Sequence, residues 1–157
     1  MTHHEAVREV AFPPSFRTLT TLPRVDYTDA FVLTTPSSAE RTGVEWARAM
    51  LEEAPAETRR MLRRGWFALG VRLGSPDDHR RVLGWEVRRS SPDHAVLAAD
   101  SLLGMEAEVL LERRPGALLI ATVMKLNNPL ARLVWTAFSP QHRRVVRHLL
   151  AAGGRRG

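Results

Sequence analysis

The chain has 157 residues, of which 44% are hydrophobic and 25% are charged, and it contains no cysteine. This length and balance are typical of one globular domain with a substantial core. The lack of cysteine excludes disulfides, thiolate chemistry and zinc sites with cysteine ligands. No run approaches the roughly 18 apolar residues of a membrane-spanning helix, and residues 1–12 lack the apolar core of a signal peptide. We therefore expect a cytoplasmic protein without a membrane span.

The net charge of +6 comes almost entirely from arginine, because Lys125 is the only lysine. The arginines are scattered along the chain as pairs, with acidic residues between them. Arginine binds phosphate in a bidentate manner, so the pairs leave open an interaction module for an acidic partner. Scattered pairs are more typical of a solvated surface, and we do not expect nucleic acid as a partner. Nothing in the sequence indicates an oligomeric state.

The N-terminal part predicts an extended arm followed by a strand. Residues 1–24 are interrupted by Pro13-Pro14 and alternate only loosely, which allows an edge strand within them. Residues 25–33 combine β-branched and aromatic side chains, a composition typical of a pleated surface.

Two helices are predicted next. Ser37 and Glu40 have the spacing of a capping box, which predicts a helix over residues 38–53. Pro55 suits the first turn of a second helix, because the N–H that proline lacks has no partner there.

From residue 82 the hydrophobic period changes from that of a helix to that of a strand. Four strands joined by short turns are predicted, over residues 83–88, 96–101, 105–112 and 117–126. Strands joined by such short links are antiparallel neighbours. One face is expected to carry Leu83, Trp85, Val87, Leu97, Met105, Ala107, Val109, Leu111, Leu119, Ala121 and Val123. The other is expected to be polar and solvated, with Glu86, Arg88, Asp100, Glu106, Glu108 and Glu112.

The last segment, residues 129–152, predicts a long helix that covers the apolar face. Asn127-Asn128-Pro129 has the chemistry of a helix start, and Ser139-Pro140 is expected to kink or restart the helix. Gly153-Gly154 is expected to end it and to begin a frayed tail that reaches residue 157. Its predicted apolar stripe consists of Leu130, Leu133, Val134, Ala137 and Phe138.

Two segments carry a family resemblance: DYTDAF at residues 26–31 and PQHRRVVRHLL at residues 140–150. Together with the order of strand, two helices, antiparallel strands and terminal helix, they resemble the START-like (SRPBCC) superfamily. That superfamily includes polyketide cyclase-like proteins, lipid-transfer domains and plant allergen-like proteins, and the match is closest to a bacterial branch. It covers roughly residues 24–151. The four strands counted after the helices are fewer than a full sheet of this kind has, so a smaller sheet or strands from the arm are expected.

The resemblance implies an α+β helix-grip fold for a single domain over residues 25–152. It also implies a hydrophobic pocket between the sheet and the terminal helix, which lipids, sterols or aromatic polyketide-like molecules occupy in relatives. Reversible binding of a small hydrophobic ligand in this groove is therefore the expected function. The side chains expected to line it are Trp85, Met105, Val109, Leu119, Val123, Trp135, Phe138 and His142.

Catalysis is the main alternative. The resemblance transfers no shared catalytic residue, but His142 could act as a base in a cyclase- or aromatase-like enzyme, because histidine titrates near neutral pH. His142 and His148 are six residues apart and lie on different helix faces, so no shared metal is expected. No phosphate loop, nucleophile elbow, metalloprotease motif or EF-hand spacing is present, and no cofactor is expected.

Two pairs of carboxylates remain as candidates for a functional site. Glu86 and Glu108 are expected near each other on the polar face, where solvent and arginine partners argue against an acid–base pair. Asp26 and Asp29 lie on opposite faces of their strand, so one of them can point inward, where it needs a partner.

Overall fold

An antiparallel sheet of eight strands and one long helix dominate the part of the chain that the computed structural model describes, residues 7–156. The fold is therefore α+β. In chain order the elements are β1 (Val7–Glu9), α1 (Pro14–Leu19), β2 (Tyr27–Thr34), a 3-10 turn (Ser38–Glu40), α2 (Gly43–Leu51), α3 (Ala56–Ala68), β3 (Val71–Arg72), β4 (Arg81–Val82), β5 (Trp85–Ser90), β6 (His94–Ser101), β7 (Met105–Arg114), β8 (Ala117–Leu126) and α4 (Pro129–Arg156).

The strands follow the order β1-β2-β8-β7-β6-β5-β4, and β3 pairs with β6 outside this path. The meander β5 to β8 forms as its short turns predict, and β8 spans the predicted residues 117–126. The sheet also contains β3 and β4, which the sequence did not predict because strands of two residues are too short to show any alternation. β1, from the N-terminal arm, is the edge strand that the loose alternation of residues 1–24 allowed.

The sheet has a core on each face. The inner face packs against α2, α3 and α4, whereas part of the N-terminal arm covers the outer face. Phe16 of α1 and Leu22 are buried there against Val32, Val96 and Leu110. The prediction of a polar, solvated outer face is therefore wrong over its middle. The prediction fails because the N-terminal arm, which was predicted to be extended, contains α1 and folds back onto this face of the sheet.

Leu119, Ala121 and Val123 also belong to the outer face, contrary to the prediction. Ile120 and Met124 of the same strand face inward instead. The physical reason is that β8 is apolar on both faces, so its sequence holds no alternation that could fix which residues point inward.

The helix predicted over residues 38–53 is α2, and it begins later than predicted. Ser37 makes no capping hydrogen bond, and a capping box forms at Thr42 and Glu45. Thr42 Oγ1 accepts from the Glu45 backbone N–H at 3.2 Å, and Glu45 Oε1 accepts from the Thr42 N–H at 2.8 Å. Residues 38–40 form the 3-10 turn. The second predicted helix, α3, begins at Ala56, so Pro55 is its N-cap rather than a residue of its first turn.

The terminal helix α4 runs continuously from Pro129 to Arg156, through Pro140 and past Gly153-Gly154. Leu130 and Leu133, predicted to be core residues, are 54% and 69% exposed. The helix buries Ala131 and Trp135 instead, so its inward face is rotated from the predicted stripe. The predicted tail is helical as far as residue 156, and residues 1–6 and 157 lie outside the described part of the chain.

The two glycines allow close packing rather than ending the helix. A Cβ on Gly153 would lie 2.8 Å from Met50 Cγ of α2, and one on Gly154 would lie 2.6 Å from Leu33 Cδ2 of β2. The last turns of α4 therefore rest directly on these two elements.

Candidate functional site

A cavity of about 310 Å³ lies between the inner face of the sheet, α3 and α4. Its wall takes side chains from two inner-face clusters, one around Trp85 and one around Trp135. The wall is overwhelmingly apolar. Apart from the tryptophans, the lining residues with polar side chains are Asp100, Ser101, Thr122, Gln141 and His142. The Asp100 carboxylate is already paired with the exposed Arg72.

The cavity exists where small side chains lie beneath the helices. Ala99 of β6 and Ala107 of β7 are register partners in the sheet, and both lie in the cavity wall. Gly65 of α3 lies across from Phe138 of α4, whose ring atom would be 3.8 Å from a Cβ at this glycine. The large side chains of the helices therefore do not fill the space above the small residues of the sheet.

Six of the eight residues predicted to line a groove are in the cavity wall: Trp85, Met105, Val109, Trp135, Phe138 and His142. Leu119 and Val123 are not, because they point to the outer face of the sheet. Contact of the six with a ligand stays a prediction.

A polar cluster lies where β2 and β8 pass beneath α4. Asp29 of β2 is buried and is the register partner of Thr122 of β8. Its carboxylate accepts hydrogen bonds from the Tyr27 hydroxyl at 2.7 Å and from the Thr122 backbone N–H at 3.2 Å. His142 Nε2 lies 3.3 Å from Asp29 Oδ2 and 2.9 Å from Thr122 Oγ1. The cluster thus places a carboxylate–imidazole pair at the cavity wall.

The tyrosine of this cluster stays protonated. Burial, the negative charge of Asp29 and the hydrogen bond to that carboxylate raise the pKa of Tyr27 well above its usual range, and Arg143 lowers it only in part. Tyr27 is therefore a hydrogen-bond donor that holds Asp29 in place rather than a base.

The sequence contained part of this cluster. Asp26 and Asp29 were expected on opposite faces, and Asp29 proves to be the inward one. Thr122, the single polar residue in the middle of β8, was missed, although a hydroxyl in an otherwise apolar strand is a signal for a buried polar site.

Aromatic contacts hold the cavity wall. The ring of Trp135 lies 5.2 Å from Tyr27 edge-to-face, 6.1 Å from Phe138 and 5.0 Å from His142, measured between centroids. On the other side, Trp85 meets Trp66 of α3 edge-to-face at 5.6 Å.

Two of the three tryptophans in the cavity wall have a buried indole N–H without a partner among the described residues. The Nε1 atoms of Trp85 and Trp135 are buried and have no hydrogen-bond partner in the described part of the chain. Trp46, the other deeply buried tryptophan, donates to the Ser38 carbonyl at 2.9 Å.

The other sequence candidates lie outside the cavity. Glu86 and Glu108 are neighbours across Ala98, as expected, but they do not form an acid–base pair. Glu86 is exposed and bonds to Arg88, whereas Glu108 is fully buried and binds the N-terminal arm. His148 is exposed on α4.

Two of the arginine pairs lie beside carboxylates of the same chain. Arg80 and Arg81 lie beside Asp78, while Arg113 and Arg114 bind Asp93 and Glu112. These side chains are therefore already engaged with carboxylates of the same chain.

Across residues 7–156, no helix is long and apolar enough to cross a membrane. The same residues contain no group of three or more acidic or histidine side chains arranged to hold a metal ion.

No protein-family model, curated protein or solved structure matches this chain. The START-like resemblance therefore stays a prediction, and function is argued from the cavity alone.

Proposed function

We propose that the protein reversibly binds a small hydrophobic molecule in the cavity beneath α3 and α4, and that its fold is of the helix-grip type. The observation that carries the proposal is the cavity of about 310 Å³ with its almost entirely apolar wall. Volumes of this order, lined by aromatic and aliphatic side chains with few polar groups, are typical of ligand pockets.

Burial of the ligand's apolar surface supplies the binding free energy in this proposal, at about 25 cal/mol per Å² removed from water. The few polar groups of the wall then orient the ligand. Trp135, Phe138 and Trp85 offer flat surfaces for an aromatic or polycyclic molecule.

Native mass spectrometry of freshly purified protein, compared with its denatured mass, tests the proposal. We expect an extra mass that is lost on denaturation and that gives the weight of a co-purified ligand. An identical mass in both conditions, together with no uptake of added apolar compounds, would contradict the proposal.

A pair of variants separates the cavity from the surface. Ala107→Leu fills the cavity wall and is expected to abolish the bound mass, whereas Ala137→Leu on the exposed side of α4 is expected to keep it. Circular dichroism and urea unfolding show whether both variants remain folded. Retention of the bound mass by folded Ala107→Leu would place the ligand elsewhere.

A second candidate function is acid–base catalysis of the cyclase or aromatase type, and the Asp29–His142 pair favours it. Asp29 orients the imidazole through Nε2, while Nδ1 makes no hydrogen bond to the described residues. A base needs such a free nitrogen and an orienting partner.

Substitution of the histidine tests this second function. His142→Ala is expected to abolish turnover of a polyketide-type ketone, and His148→Ala, on the same helix but exposed, is expected to retain it. Turnover that survives His142→Ala removes the catalytic role.

A further inference from the structure

We propose that the ligand of the cavity carries a hydroxyl group, such as that of a phenol, which donates a hydrogen bond to Nδ1 of His142. This inference rests on the proposed function, because it names a polar group of the molecule that would occupy the cavity. It requires binding only and no turnover.

His142 lies in the stretch of α4 that borders the cavity. Phe138 and Val146, one helical turn before and after it, both line the wall, and so do Gln141 and Val145. The imidazole side chain is 20% exposed, so part of it remains open. Because its neighbours along the helix line the cavity, we assign that open part to the cavity.

The free nitrogen of this imidazole is open rather than sealed. His142 Nδ1 makes no hydrogen bond to the described residues, since the contacts of the ring with Asp29 and Thr122 are made by Nε2. Within the described part of the chain, the side-chain atoms that are both buried and without a partner are Nε1 of Trp85 and Nε1 of Trp135. His142 Nδ1 is not one of them, so a ligand atom can reach it.

The contacts of Nε2 decide which hydrogen-bonding role is left to Nδ1. The ionised Asp29 carboxylate can only accept hydrogen bonds, so its contact of 3.3 Å with Nε2 of His142 requires a proton on that nitrogen. A neutral imidazole has a single N–H, and Nδ1 therefore carries the lone pair. The ligand group that suits a lone pair is a donor such as a hydroxyl.

The other polar groups of the wall are less suited to this hydroxyl. Asp100 is paired with Arg72 at 2.5 Å. Ser101 Oγ already donates to a backbone carbonyl and accepts from a backbone N–H, and Gln141 is exposed to water. The imidazole of His142 is instead held in place by its Nε2 contacts before any ligand arrives. A fixed acceptor loses little conformational freedom on binding, so its hydrogen bond contributes more of its energy to affinity.

Two naphthalene probes test the inference by equilibrium dialysis at about pH 8, which favours the neutral imidazole. 2-Naphthol carries the donor, whereas 2-methoxynaphthalene keeps the oxygen but lacks its proton. The ratio of their affinities is compared between the wild type and His142→Phe, which keeps a ring without nitrogen atoms. We expect the ratio to favour 2-naphthol about fivefold more in the wild type, the effect of one hydrogen bond of average strength. His148→Phe, exposed on the same helix, is the matched control and is expected to keep the wild-type ratio.

Nitrogen NMR of the histidine rings tests the same contact in the unaltered protein, so the answer does not depend on the folding of a variant. In protein with ¹⁵N-labelled histidine, 2-naphthol is expected to shift the Nδ1 resonance of His142 in the direction of a hydrogen-bonded acceptor. 2-Methoxynaphthalene is expected to leave this resonance nearly unchanged. Equal shifts with both probes would show that the hydroxyl does not bind there.

The outcomes separate the inference from the proposed function. The same affinity ratio in the wild type and in folded His142→Phe, or an equal fall of the ratio in His148→Phe, overturns the hydroxyl inference and leaves apolar binding intact. Tighter binding of 2-naphthoate than of 2-naphthol also overturns it, because the imidazole would then act as a cation. No binding of any of these probes contradicts the proposed function as well.

Discussion

At the scale of single residues, the buried carboxylate of Asp29 organises the site. It joins Tyr27 and Thr122 on the sheet to His142 on the helix above them. A charged group this deeply buried is tolerated only because each of its oxygens has a partner, so the cluster fixes how α4 sits on the sheet.

Removal of this carboxylate tests its structural role. Asp29→Ala leaves the Tyr27 hydroxyl and the Thr122 amide without their acceptor, and we expect the free energy of unfolding to fall by about 3 kcal/mol. Urea unfolding followed by tryptophan fluorescence measures the loss. Asp77→Ala, an exposed aspartate with no ion pair in the described residues, is the control and should cost less than about 0.5 kcal/mol. Similar losses in both variants would contradict the assignment.

Asp26 should make the stability of the fold depend on pH in the acidic range. Hydrogen bonds from the Arg24 side chain and the Leu126 backbone hold its pKa at about 2, although burial acts in the opposite direction. This value lies below the pKa of about 3.9 for an unfolded aspartate. The ionised group therefore stabilises the fold fully above pH 4, and this contribution is lost as the pH falls towards 2.

Asp26→Asn should remove that contribution. We expect the variant to be less stable than the wild type at pH 7 and to lose less stability between pH 4 and pH 2. Urea unfolding at these three values measures the difference, with Asp77→Asn as the control. Parallel stability curves for wild type and Asp26→Asn would show that Asp26 does not contribute.

At the scale of elements, the sequence predicted the strands of the meander and the presence of every long helix, because their periodicity and turns are local signals. It failed where two apolar faces compete. In α4 both the stripe through Leu130 and Leu133 and the one through Ala131 and Trp135 are apolar, and only packing against the sheet chooses between them. For the same reason, the sequence did not show which residues of β8 face inward.

Two substitutions in α4 distinguish these faces. Leu133→Ser on the exposed side should change the free energy of unfolding by less than about 0.5 kcal/mol. Trp135→Ala on the buried side should cost about 3–5 kcal/mol, because it removes a large core side chain and enlarges the cavity. Urea unfolding of both variants measures this difference. If Leu133→Ser lowered the free energy of unfolding more than Trp135→Ala, the face of α4 predicted from the sequence would be the buried one.

At the scale of the whole molecule, the sheet lies between two cores, and the N-terminal arm closes the outer one. Glu108, fully buried in β7, accepts hydrogen bonds from Thr20 Oγ1 at 2.5 Å and from the Thr21 backbone N–H at 3.0 Å, and it also binds the Thr21 hydroxyl. Arg88 lies 3.3 Å away as its counter-ion. The sequence could not predict this arrangement, because contacts between residues about 88 positions apart leave no local pattern.

Loss of this carboxylate should release the arm. Glu108→Ala is expected to lower the free energy of unfolding by about 3 kcal/mol, because it leaves the hydroxyls of Thr20 and Thr21 and the Thr21 N–H without their acceptor. It should also speed hydrogen exchange at backbone amides of residues 14–22. Glu106→Ala, two residues away on the same strand and more exposed, is the control and should leave exchange in the arm unchanged. Unchanged exchange in Glu108→Ala would show that apolar burial alone holds the arm.

The glycines near the end of α4 have a consequence for how the protein opens. Each glycine in a helix costs about 1 kcal/mol relative to alanine, so this last stretch has little tendency to be helical by itself. Alanine would supply that tendency, but its methyl group at residue 153 or 154 would collide with Met50 or Leu33. The final turns are therefore helical only while docked. The last turns of α4 should consequently unfold before the rest of the helix when the protein is warmed.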